Sequence, residues 1–311
     1  MGPAASALLN RLFARPVRAG RLTLPPPGLV ALAAIGAGLL LVVASLRWAG
    51  FQDEHAYWLA AQRLVAGQPL YNPTAQPGTP YAYWYPPVLA QVLAPFTLVL
   101  SDLTFSLVWT ALLLGCLVYL ADRRLLVALA MVAFLPVAVE LWYRNVHLVL
   151  AALVVLALRR WPYAWIPATA IKMTPVIGLV YMVAGGRLRD AFKVGIAGLA
   201  VLAFSAAVSP QAWQQFVDVV VAMGGTTGAS LVPVPFLLRL VVAILLAVLG
   251  GRVHGRFGES LLVIALVVGN PTLWATSLSL LVMLVPVWLP VVRESGPGGE
   301  TLVAPQARAT A

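Results

Sequence analysis

The sequence predicts an all-α integral membrane protein with about ten transmembrane helices and an outer loop that carries interfacial helices. Three observations carry that prediction. Hydrophobic residues make up 61% of the chain and charged residues 10%, whereas a soluble domain has about 25% charged and roughly 45–50% apolar residues. Apolar runs of roughly 17 or more residues recur along the chain, long enough to cross a ~30 Å hydrocarbon core as helices. The basic residues gather in small clusters between those runs, as they do in cytoplasmic loops.

Helices are the expected spanning form because each satisfies its own backbone hydrogen bonds. The runs are continuous rather than alternating, which excludes a β-barrel reading. The formal charge of +10 does not indicate nucleic-acid binding, since the basic residues are dispersed between apolar runs. The single cysteine, Cys116, makes no internal disulfide, and no Cys/His spacing suggests a zinc site.

In chain order, residues 1–28 form a basic, mobile cytoplasmic arm with Arg11, Arg15, Arg18 and Arg21, ending in Pro25–Pro27. Residues 29–293 form one polytopic membrane domain. Its first run, Leu29–Ala49, is too long for a signal-peptide core and lacks a small-x-small cleavage site, so it reads as an uncleaved first span. Residues 50–84 are too polar to cross and form the first outer loop. Residues 294–311, rich in Gly, Pro, Ala and Thr, read as a disordered cytoplasmic tail.

The clusters Arg123–Arg124, Arg159–Arg160, Arg187–Arg189–Lys193, Arg252–Arg256 and Arg293 belong inside by the positive-inside rule. Each stretch between neighbouring clusters then goes out and back. The outer turns fall near Arg144–His147, Lys172–Pro175, a loop at 210–232, and Asn270–Trp274. Between the outer loop and Arg123 the chain crosses once, with 86–100 as an interfacial or re-entrant helix. Both termini are cytoplasmic, in a cell (inner or plasma) membrane.

The unusual polar residues fall at the outer turns: Asp53, Glu54, His55, Arg144, Asn145, His147, Lys172 and Asn270. A charge at a helix centre costs about 2.5–3.5 kcal/mol on insertion scales, and this arrangement largely avoids that cost. Only Arg239 reads as a charge well inside an apolar run. The pattern points to one polar site facing outward at headgroup depth.

In the outer loop, Asp53-Glu54-His55-Ala56-Tyr57-Trp58 opens an interfacial helix that runs to Ala66 and stops at Gly67. Asp53 suits an N-cap; it also suits a general base at the membrane surface. Glu54 is the rival base and His55 a third candidate. The aromatics Tyr81, Tyr83, Trp84 and Tyr85 suit an interfacial belt or a wall against sugar rings.

Asp53-x-x-x-Tyr57, Ala60-Ala61, Gly67, Leu70-Tyr71 and Tyr83-x-Tyr85-Pro86-Pro87 together resemble the first outer loop of glycosyltransferase family 87, a family of the GT-C structural class. Arg144-Asn145-x-His147 stands where that family has Gly-Gln-x-Asn. Ala170-Ile171-Lys172-Met173-Thr174-Pro175 is similar to its alanine-x-lysine-x-x-proline turn, and Asn270-Pro271-Thr272-Leu273-Trp274 to a late proline-x-x-tryptophan element. The likeness spans about 50–290; the Gly-Gln pair and the polar residue that often follows the tryptophan are absent.

The resemblance implies a GT-C-like fold and an inverting, polyprenyl-phosphate-mannose-dependent hexosyltransferase acting on a glycolipid or glycan acceptor at the outer face. It implies Asp53 as catalytic base. It implies Lys172, Arg144, His147 and Asn145 at the donor phosphate, and Tyr57, Tyr83, Tyr85 and Trp274 lining the substrate. No metal and no cofactor are expected. Two readings from other classes stay open: a polytopic transporter, and a non-catalytic family member acting as a membrane partner.

Overall fold

The computed structural model describes residues 53–72, 75, 79, 81–223 and 231–289, together with two short segments at 17–19 and 22–24. The expected first span Leu29–Ala49 and the tail at 294–311 lie outside the described residues. In the basic arm, Val17–Ala19 (β1) and Leu22–Leu24 (β2) pair antiparallel, with Arg18 opposite Thr23. Among the described residues, everything else with regular structure is helical.

Helix α1 (Asp53–Val65) packs against α2 (Pro87–Thr97) and α3 (Asp102–Leu120). It is not a helix resting only on a membrane surface, because Glu54, Tyr57, Trp58 and Ala61 are buried in these contacts. Pro87 stands in the first turn of α2, where a missing N–H costs nothing. At 11 residues, α2 is about 16 Å long, too short to cross, as expected of 86–100. The hydroxyl of Ser101 caps α3 by accepting from the Thr104 N–H at 3.2 Å.

The 125–158 stretch departs from a simple out-and-back pair. Its outgoing run divides into α4 (Leu125–Val132) and α5 (Leu135–Tyr143), bent by 84°. Pro136 lies in the first turn of α5 and cannot donate back to the preceding turn. Helix α6 (His147–Arg159) returns against α3. The next pair is α7 (Trp165–Ile171) and α8 (Ile177–Ala184), separated at Lys172 and by the 3-10 turn Thr174–Val176.

Beyond α9 (Leu188–Val208), the expected loop at 210–232 begins as a helix, α10 (Pro210–Met223). Pro210 opens it, and Ala212 and Phe216, four residues apart, turn its inner face to the core. Helix α11 (Phe236–Val253) packs on α8 and on α12 (Gly255–Val268). The described residues end with a 3-10 stretch, Ala275–Met283, running into α13 (Leu284–Trp288).

Among the described residues, α3, α9 and α11 are long and apolar enough to cross a membrane; the bent α4–α5 pair makes four if it is one span. The other described apolar runs form shorter helices because prolines and polar turns divide them. Large apolar side chains face outward on the long helices, Phe204 with 73% of its surface exposed and Leu199 with 66%. Such helices suit a lipid surround rather than water.

Two close approaches hold the α8–α11–α12 group together. A Cβ on Gly251 would lie 2.5 Å from the Tyr181 carbonyl oxygen and 2.8 Å from the Ala184 Cβ; one on Gly250 would lie 2.6 Å from the Gly258 carbonyl oxygen. Gly251→Val is therefore expected to force α8 and α11 apart and to destabilise the protein by about 1–3 kcal/mol. A lowered melting temperature in detergent checks this; an unchanged one shows that the helices re-pack freely.

Candidate functional site

The expected polar residues from the first outer loop and from the turns at 144–147 and 172 meet at one end of α1, α3, α5 and α6. They form three hydrogen-bonded systems.

The first hangs from Asn145. Its Nδ2 donates to Asp53 Oδ2. Its Oδ1 accepts from the Tyr85 hydroxyl at 3.1 Å and from the Val146 N–H at 2.7 Å. The Tyr57 hydroxyl donates to that of Tyr85 at 3.1 Å, and the two rings meet edge to face, 5.0 Å between centroids. Asp53 thus has one oxygen oriented by an amide whose other atom is fixed by an aromatic pair. Burial pushes its carboxyl pKa up to about 7; Asn145 opposes the shift, Glu140 and Glu54 reinforce it, and Lys172 opposes it.

The second system is built on Glu54. Its Oε1 forms an ion pair with Arg144 Nη1 and accepts from the Ser106 hydroxyl at 2.7 Å. Glu54 is 1% exposed and Arg144 5%. Arg144 is held from its backbone as well. It ends α5 in the left-handed region at φ 52°, a conformation that costs a residue with a Cβ roughly 1–2 kcal/mol. Its carbonyl accepts from Trp109 Nε1 at 2.8 Å. The guanidinium expected at a donor phosphate is engaged by Glu54.

Glu140 is the residue the sequence reading missed. It lies in the apolar run Leu135–Tyr143 and is 0% exposed, so Arg239 is not the sole charge inside such a run. Glu140 Oε1 accepts from the His147 backbone N–H at 2.6 Å, which caps the first turn of α6 where Val146 offers no side-chain cap. Glu140 Oε2 lies 3.0 Å from His147 Nδ1, and His147 Nε2 lies 2.9 Å from Lys172 Nζ. An ionised carboxylate only accepts and an ammonium only donates. One neutral tautomer meets both demands, with the proton on Nδ1 and the lone pair of Nε2 facing Lys172. Both ring nitrogens of His147 are used in this way. The signal that identifies Glu140 is the cost of an acid in an apolar run, which demands a partner.

The remaining residues divide. Tyr83 is buried, its hydroxyl donating to the Pro86 carbonyl at 2.9 Å and accepting from the Ala90 N–H at 3.1 Å. It braces the start of α2. Tyr57 is also fully buried, behind Tyr85. His55 turns away to Asp102, 3.1 Å from Nδ1. Trp274 is half-buried at the 269–274 turn. Arg239 is structural: its guanidinium donates to the carbonyls of Val234, Val268, Asn270 and Pro271 and clamps that turn.

The glycosyltransferase family 87 model matches residues 83–302. The match takes in Arg144, Asn145, His147, Lys172 and Trp274 and begins after α1. No curated protein and no solved structure matches the chain.

Proposed function

The chain belongs to glycosyltransferase family 87, and from that premise we propose that it transfers a hexose, mannose by preference, from a polyprenyl-phosphate donor to a hydroxyl of a glycolipid or glycan acceptor at the outer face of the cell membrane. The observation that carries this reading is the hydrogen bond from Asn145 that orients Asp53. Asp53 is held by Asn145 and has a carboxyl pKa near neutrality, and the charge of Lys172 acts on that same carboxylate.

Asp53 takes the proton of the acceptor hydroxyl, and the oxygen attacks the anomeric carbon. The bond from that carbon to the phosphate oxygen breaks on the opposite face, so the configuration inverts and polyprenyl phosphate leaves with the electron pair. A base whose pKa lies near the working pH serves such a step well. Lys172 meets the charge that builds on the leaving phosphate. His147 and Glu140 hold the lysine in place, and Asn145, Tyr85 and Tyr57 hold the base. In this reading about ten crossings place both termini in the cytoplasm and the site outside.

The test is transfer from labelled polyprenyl-phosphate-mannose into membrane lipid or glycan by the purified protein in liposomes. Label should appear in product with the anomeric configuration opposite to that of the donor. Folded protein that transfers nothing from this donor overturns the proposal.

Lys172→Met is expected to lower the rate about 100- to 1,000-fold, the cost of removing one fixed group from a developing oxyanion. Glu140→Gln should lower it less and in the same direction, because the amide still accepts from His147 but no longer dictates its tautomer. Single-turnover rates at saturating donor check both.

A further inference from the structure

A helix outside the site is joined to Asp53 by a continuous series of hydrogen bonds. Helix α10 carries Gln215, whose side-chain Oε1 accepts from two backbone N–H groups of the first outer loop, those of Leu70 at 2.9 Å and Tyr71 at 3.3 Å. Both residues are buried, and a buried N–H needs an acceptor. Helix α1 has ended before Gly67, which turns the chain at φ 65°. One oxygen, 145 residues beyond Leu70, then serves both groups.

From that turn the series runs inward. The Tyr71 hydroxyl donates to the Tyr85 carbonyl at 2.6 Å. The Tyr85 hydroxyl donates to Asn145 Oδ1 at 3.1 Å, and Asn145 Nδ2 donates to Asp53 Oδ2. The aromatic rings follow the same route: Phe216 lies 5.9 Å from Tyr71, Tyr71 5.5 Å from Tyr83, and Tyr83 5.7 Å from Tyr85, between centroids. Gln215 is itself firmly mounted. Trp213 Nε1 donates to the Ser205 hydroxyl at 2.9 Å, that hydroxyl donates to Gln91 Oε1 at 2.5 Å, and Gln91 Nε2 donates to the Ser205 carbonyl at 3.0 Å. These bonds fasten α10 to α9 and α2. A catalytic group must be held within about 0.5 Å of its working position, and a misplacement of about 1 Å can cost roughly 100-fold in rate.

We propose that Gln215 is a positioning residue for sugar transfer: it fixes the turn at Leu70–Tyr71, which sets Tyr85 and, through Asn145, the carboxylate of Asp53. This rests on Asp53 being the base of the proposed reaction.

The test measures single-turnover transfer from labelled polyprenyl-phosphate-mannose by wild type, Gln215→Leu and Gln215→Glu across a range of pH. Gln215→Leu removes the shared acceptor and should slow the step about 10- to 100-fold at saturating donor, with the half-saturating donor concentration within about 3-fold of wild type. Gln215→Glu keeps an oxygen for both N–H groups and should restore the rate to within about 3-fold of wild type. In Gln215→Leu the rising limb of the rate–pH profile should also move to higher pH, because the bond from Asn145 opposes the effect of burial on Asp53 and is loosened. The titratable groups about Asp53 are Glu54 and Tyr57 on α1, Tyr85, Glu140 on α5, and Lys172, and these variants change none of them. Tyr71→Phe, which removes only the bond to the Tyr85 carbonyl, provides the same readout if Gln215→Leu does not fold. A Gln215→Leu rate close to wild type, a loss that Gln215→Glu fails to restore, or a slowed rate with the limb unmoved overturns the role and leaves Gln215 a structural tie of the outer loop. No transfer by wild type overturns the transferase reading, and an Asp53→Asn variant as fast as wild type overturns the base. Either removes the role of Gln215 with it, and each is read without any change at Gln215.

Discussion

Asp53→Asn is expected to abolish sugar transfer while leaving the protein folded. The substituted amide keeps the shape of the carboxyl and an oxygen to accept from Asn145 Nδ2, but it cannot take a proton. Loss of a positioned general base costs roughly 100- to 10,000-fold in rate. The pH dependence has a definite sign. Burial raises the Asp53 pKa to about 7, so the carboxyl is protonated and idle below that value. The rate should climb as pH rises through neutrality and fall again as Lys172, whose pKa burial lowers to about 8, loses its proton; the rising limb should be missing from whatever residual rate the variant retains. Rate–pH profiles of the two proteins at saturating donor make the comparison. Equal rates would reduce Asp53 to a group that merely starts α1.

Glu54→Gln and Arg144→Met are each expected to cost about 3–5 kcal/mol of stability, because each leaves one member of a buried ion pair without its counter-charge. A folded protein has only about 5–15 kcal/mol in total, so either change should sharply lower the melting temperature and the yield of monodisperse protein in detergent. The combined Glu54→Leu and Arg144→Met variant should recover much of the loss, since a buried pair replaced by apolar groups of similar size is often neutral. This series separates two roles for Glu54. If Glu54→Gln melts like wild type and yet transfers no sugar, Glu54 is the base and the ion pair with Arg144 is incidental.

The two neighbouring acids show why sequence pattern reaches only part of the site. Asp53 and Glu54 differ by one position at the start of the same helix, and pattern alone can only rank them. A rotation of about 100° per residue in a helix sends one towards Asn145 and the other towards Arg144 and Ser106. The partners lie 52 to 92 residues away along the chain, and no local period records such a pairing. Likewise Lys172 was evident as a polar break between two short helices, but its support by His147 and Glu140 was not. Glu140 was passed over because its neighbours are apolar, which is the reason it needs a partner. Tyr83 read like Tyr85 in the same aromatic run, and only packing turned one inward to the backbone of α2 and left the other on Asn145.

By itself the sequence determined the class of this protein: helical, membrane-embedded, with most of its unusual polar residues gathered at a few turns and with glycosyltransferase family 87 motifs in those turns. These follow from composition and short-range pattern, which register the cost of putting a charge or an unpaired backbone group into lipid. Only the tertiary structure decided which polar group faces which. It broke the 125–143 run at Pro136, made a helix of the segment from Pro210, paired Glu54 with Arg144 and joined Glu140 to Lys172 through His147. The physical reason is range. Solvation acts on each residue where it stands, whereas hydrogen bonds and ion pairs act over about 3 Å and exist only once the fold has brought distant segments together.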